Sequence, residues 1–87
     1  MASLSEIVQE TIASFEALTG RRVESVSGVA RAAEGWRMTV EAVEMERLPA
    51  STSLLGSYEV LLDAAGQIFE YQRTRRYYRN RADEEVG

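Results

Sequence analysis

The amino-acid sequence predicts an α+β domain: an N-terminal amphipathic helix packed on a four-stranded antiparallel β-sheet. Three observations predict it. The first stretch repeats apolar residues at helical spacing, the remainder alternates with a period near two, and a tight-turn signal joins the last two alternating runs. With 87 residues the chain forms one domain, 1–87, with no room for a second core. A chain of this size buries only about 60–65% of its unfolded surface, so its stability is expected to be marginal.

The helix opens at Ser3-Leu4-Ser5-Glu6, which has the spacing of a capping box. Leu4, Ile7, Val8, Thr11, Ile12, Phe15 and Leu18 then fall on one stripe of about four turns. Glu6, Gln9, Glu10, Ser14 and Glu16 lie mostly off it, and Thr19-Gly20 supplies the stop. The polar face is acidic, whereas a membrane-surface helix carries basic residues there, so the stripe is expected to cover the sheet.

From Arg22 to Ala32 the pattern is weaker. Val23, Val26 and Val29 recur every three residues, which fits a strand only if a bulge near Gly28 switches faces. Glu34-Gly35 makes a turn into a strand from Trp36 to Arg47. Trp36, Met38, Val40 and Ala42 alternate inward, and Val43 and Met45 then move to the other parity, implying a bulge near Ala42. Leu48-Pro49 ends this strand, because proline has no N–H for a ladder. Ala50 to Ser53 reads as a polar loop, with Ser51 or Ser53 placed to cap a short turn through Leu54, Leu55 and Gly56.

The final hairpin is the strongest signal. Tyr58, Val60 and Leu62 alternate, Asp63 to Gly66 carries turn chemistry, and a second strand follows. On that strand Phe69, Tyr71, Arg73, Arg75 and Tyr77 are expected on one face, with Thr74, Arg76 and Tyr78 on the other. Arg79 shares the parity of Arg73. A short acidic tail over about 82–87, containing Asp83-Glu84-Glu85, is expected to fray.

Composition excludes several classes of function. There is no cysteine and no histidine, which removes disulfides, thiol chemistry, the usual zinc sites and the commonest general base. No glycine-rich phosphate loop, metal-ligand spacing or nucleophile with a base at hand is present, so neither enzyme activity nor a cofactor is expected. The apolar runs are too short to span a bilayer, and neither signal peptide nor anchor is expected, which suits a cytoplasmic protein. The net charge of −4 argues against general affinity for nucleic acid or an anionic membrane.

Two clusters remain as candidate sites. Glu41, Glu44 and Glu46 are the only cluster of carboxylates before the acidic tail. Glu44 and Glu46 share a parity, and a solvated edge or pairing with neighbouring arginines is favoured over acid–base work because so small a fold has little room for a pocket. The second cluster is Arg73, Arg75, Arg76, Tyr77, Tyr78 and Arg79. Arginine and tyrosine are enriched at interface centres and also suit single-stranded nucleic acid. Three readings stand open for it: an ion-pair ladder to Glu41, Glu44, Glu46 and Glu59, a protein interface, or a nucleic-acid surface. A sheet edge offers a homodimer contact as well.

The assembled residues resemble the gas vesicle protein O (GvpO) family. The carrying pieces are Gly35-Trp36, Val40-Glu41, Val43-Glu44 and Glu46-Arg47-Leu48-Pro49. Further along are Tyr58-Glu59-Val60 with Asp63 and Gly66, then Tyr71, Arg73, Arg76-Tyr77 and Arg79. Together they run from about Val23 to Arg79, with Trp36, Glu41, Glu44, Arg47, Pro49, Tyr58 and Glu59 as motif positions. Family members often have an aspartate shortly after the proline, where this chain has Ser51 or Ser53, and often a longer charged N-terminal extension. The resemblance implies a non-enzymatic accessory role in gas vesicle formation, without a cofactor and with other gas vesicle proteins as partners. Two alternatives are a nucleic-acid-binding regulator of the gene cluster and a cystatin-like or PepSY-like binding module, since architecture alone does not give function.

Overall fold

The computed structural model describes residues 3–82; of the acidic tail, 83–87 lie outside the described residues. Helix α1 spans Leu4–Thr19, followed by strands β1 (Arg22–Ala32), β2 (Gly35–Met45), β3 (Leu54–Asp63) and β4 (Ile68–Tyr78). The strands form one antiparallel sheet in the order β1-β2-β3-β4, with α1 across one face. Short 3-10 turns at Ala50–Thr52 and Arg79–Arg81 sit at one end of the sheet.

The capping box forms as the sequence predicts. The Ser3 hydroxyl accepts from the Glu6 N–H at 3.2 Å, while the Glu6 carboxylate accepts from the Ser3 N–H. Gly20 ends the helix at φ 70°, its N–H returning to the Glu16 carbonyl at 2.8 Å. Phe15 and Thr11 are the fully buried residues of the stripe, with Ile7 and Val8 packed beside them. The stripe overreaches the sheet at both ends, so Leu4 and Leu18 are exposed. Phe15 packs into Met38, Val40, Ala42, Tyr58, Val60 and Leu62, and its ring meets Tyr58 and Tyr71 edge-on at 5.1 and 5.7 Å. Burying each such side chain contributes about 1.5–3 kcal/mol.

Bulges account for the irregular patterns. On β1, Glu24 and Ser27 are each an extra residue in the ladder to β2. Two extra residues convert a period of two into the observed three, so Val23, Val26 and Val29 all pack against the helix-side core. Glu44 is the extra residue of β2, between the pairs Val43↔Leu55 and Met45↔Leu54. On β4 the extra residues are Phe69 and Thr74.

Three expectations are corrected. The strand expected to reach Arg47 ends at Met45. Leu54, Leu55 and Gly56 form no turn: β3 begins at Leu54, and the polar loop supplies the 3-10 turn one step earlier. The bulge at Thr74 reverses parity along β4, so Arg73 and Tyr71 pair with Tyr58 and Val60 on the helix side. Arg75 and Tyr77 pair with Ser57 and Leu55 on the opposite side, so the predicted single face does not exist. Arg76, opposite Gly56, joins Arg73.

The hairpin turn is built by Asp63. Its Oδ1 accepts from the Ala65 and Gln67 N–H groups at 3.0 and 2.9 Å, and Gly66 takes φ 85°. Among the described residues no helix is long and apolar enough to cross a membrane.

Candidate functional site

Two carboxylates of β2 organise the polar residues of the sheet. On the helix side, the Glu44 side chain is only 4% exposed. Its Oε2 accepts from the Tyr58 hydroxyl at 3.2 Å, and its Oε1 accepts from Arg73 Nη1 at 3.3 Å. Arg76 Nε lies 3.6 Å from the same oxygen, a charge contact beyond hydrogen-bond distance. Gly56 makes the site possible, because a Cβ there would lie 2.0 Å from Glu44 Oε2. The bulge brings the carboxylate over that glycine, and the Thr74 bulge brings both arginines to it.

On the opposite face Glu41 collects hydroxyls. Its Oε1 accepts from Tyr77 at 2.7 Å and from Ser57, and its Oε2 accepts from Ser27 at 2.8 Å. Tyr77 is buried against Val43 and Leu55, a second small apolar cluster, and the Arg75 guanidinium lies 4.4 Å over its ring. Burial, reinforced by the bond to the Glu41 carboxylate, pushes the Tyr77 phenol up to about 12. Burial and then the Glu44 charge raise Tyr58 as well.

A third set closes the end of the sheet beyond β4. Arg79 donates to both oxygens of Glu24 on β1 and to the Ala50 carbonyl, while its N–H bonds the Ser53 carbonyl at 2.9 Å. The bond from Arg79 holds the Glu24 carboxyl below its ordinary value of 4.5. The Tyr78 ring carries the Arg47 guanidinium at 5.7 Å. The structure thus brings the six predicted β4 and turn residues to three separate places rather than one surface. Arg73, Arg76 and Arg79 are ion-paired, Tyr77 is buried, and Tyr78 is half-buried.

The expected ladder is realised in part. Glu44 takes two of the arginines, but Glu46 pairs with Arg22 of β1 at 2.5 Å, and Glu59 has no ion pair among the described residues. Glu44 and Glu46 do not form an acid–base pair: one is enclosed by arginines and the other is 68% exposed. Trp36 is half-buried against the core, with Arg31 stacked 5.0 Å from its ring. Pro49 follows a cis peptide bond in the loop between β2 and β3, and Leu48 before it is 96% exposed.

Sequence reasoning missed Gly56, Ser57, Ser27 and Glu24. Gly56 carried a usable signal, since a glycine inside a strand marks close approach by another group. The serines and Glu24 carried none, because their partners are brought in by register.

Residues 1–83 match the family model described as "Gas vesicle synthesis protein GvpO". The chain belongs to the GvpO family. Curated relatives agree. "Gas vesicle protein O" of a Streptomyces species is 46% identical over 77 residues, covering 88% of this chain and 60% of the relative. The protein of the same name from Haloferax mediterranei is 35% identical over 65 residues, 75% of this chain and 43% of the relative. "Gas vesicle protein O1" of Halobacterium salinarum is 40% identical over 53 residues, 61% and 44% respectively. The chain therefore spans about half the length of the curated GvpO relatives it matches. No solved structure matches it.

Proposed function

We propose that this chain serves gas vesicle formation as a non-enzymatic accessory protein of the cytoplasm, through contacts with other gas vesicle proteins. The observation that carries this reading is the match of residues 1–83 to the gas vesicle synthesis family. The segment from Arg73 to Arg79 supplies the working surface in this reading. Arg73, Arg76, Tyr77 and Arg79 hold the strand and its following turn in place through Glu44, Glu41 and Glu24. Phe69 and Tyr71, 51% and 41% exposed on the same edge strand, and the half-buried Arg75 and Tyr78 are then left to offer contacts from its two faces. Aromatic residues and arginine are the types enriched at the centres of interfaces. A nucleic-acid surface is less well supported, because three of the arginines it needs are engaged with carboxylates of the same chain.

The test is deletion of the reading frame from its native gene cluster, scored by buoyancy and electron microscopy of vesicles. Complementation uses the wild type and a Phe69→Ser, Arg75→Glu variant verified as folded by circular dichroism. Loss of vesicles, restored only by the wild type, is expected. Normal vesicles in the deletion strain would overturn the role itself, and full rescue by the double variant would overturn its placement on this strand.

A further inference from the structure

We propose that the chain associates end to end with a second copy of itself, the Leu48 loop of one copy seating in the Trp36 hollow of the next. The inference is independent of the gas vesicle role.

The loop is a built protrusion. The Ser53 hydroxyl accepts from the Arg47 N–H at 3.1 Å, the Thr52 and Ser53 N–H groups bond the Pro49 and Ala50 carbonyls, and Arg79 ties the loop to the end of β4. Ser53 is buried at 2% exposure, yet this braced backbone holds Leu48 96% exposed. Beside Leu48, Arg47 rests on the Tyr78 ring and has no carboxylate partner among the described residues. An apolar side chain on a braced support, flanked by a cation with no carboxylate partner among the described residues, suits an apolar socket with a carboxylate at its edge.

Such a socket lies at the other end of the same molecule. A hollow of about 570 Å³ opens between the start of α1 and the two hairpin turns, walled by Ile7, Ala32, Trp36 and Ala65. Glu10 and Glu34 also line it, both exposed and neither ion-paired among the described residues. They outnumber the one cation of the hollow, Arg31, which is stacked on Trp36.

Knob and socket cannot meet within one chain. The 11 residues of β2 separate them, about 35 Å at strand rise, along the 42 Å axis of the molecule. The edges offer a poorer route to self-association, because β1 and β4 each carry two bulges, which disrupt strand pairing. Since the two surfaces differ, the contact is heterologous, and copies add in a row until a ring closes or growth stops.

The test is sedimentation of the full chain over a micromolar-to-millimolar series. The weight-average mass is expected to rise above the 9.7 kDa of one copy. Leu48→Asp and the pair Glu10→Arg, Glu34→Arg each alter exposed side chains, and each is expected to weaken association about tenfold or more. The decisive arm mixes these two defective chains. One retains its socket and the other its knob, so together they are expected to form a 1:1 dimer and nothing larger. A monomer at every concentration, association untouched by Leu48→Asp, or failure of the mixed chains to pair would each overturn the proposal. So would a Leu48-dependent contact made only with a different protein.

Discussion

Glu41 and Glu44 stand three residues apart on β2, yet their carboxylates serve opposite faces of the sheet, each holding the hydroxyl of a tyrosine from another strand. Glu44 binds Tyr58 under the helix, and Glu41 binds Tyr77 on the far side. The pair of anchors connects β2 to both strands of the hairpin, so polar bonds as well as apolar packing hold β4 in register.

Removal of the Glu44 carboxylate should destabilise the fold. Glu44→Ala leaves the Tyr58 hydroxyl without its acceptor and Arg73 and Arg76 without a counter-charge. Both arginines are partly exposed and can regain water, so the expected loss is about 1–3 kcal/mol rather than the larger cost of a stranded buried ion. Urea denaturation of wild type and variant measures it.

Gly56→Ala should act through the same carboxylate. The new Cβ would lie 2.0 Å from Glu44 Oε2 and displace a group tethered by two donors, Tyr58 and Arg73, and by the charge of Arg76. The substitution is expected to be destabilising in the wild type and much milder in a Glu44→Ala background. A double-mutant cycle by urea denaturation reads the coupling, and additive effects would contradict it.

Tyr77 should ionise late. Its phenol is raised from 10 to about 12, so the folded state prefers the neutral form. The associated stability is fully present below pH 10 and is lost as pH rises through 10 toward 12. Ultraviolet titration should show a phenolate component near 12 that Tyr77→Phe abolishes, with the variant losing about 1 kcal/mol at neutral pH through the missing bond to Glu41.

Acid should weaken the closure at the other end. Glu24 is depressed below 4.5 by Arg79, so its contribution is present above that value and lost as pH falls through the folded-state pKa. The pair is partly exposed and screened by water, which keeps the effect small. Between pH 5 and 3, Glu24→Gln should show a shallower fall in stability than the wild type.

Much of this protein was written locally. The capping box, the helical stripe, the Asp63–Gly66 turn and the alternation of Trp36 to Ala42 each depend on residues a few positions apart, so the helix, the hairpin and the α+β class were legible in the amino-acid order. The pieces around Trp36, Tyr58 and Arg76-Tyr77 likewise suggested a resemblance to the family to which the chain belongs. The faces of the strands were another matter. Whether Arg73 and Arg75 share a side depends on one extra residue, Thr74, and a bulge is decided by the partner strand, not by the bulged one. The period of three at Val23, Val26 and Val29 became interpretable only once β2 set the register. In the same way, only tertiary structure could seat Glu44 over Gly56, spend Arg79 on Glu24 and leave Leu48 in water, because those outcomes depend on which distant groups arrive at the same place.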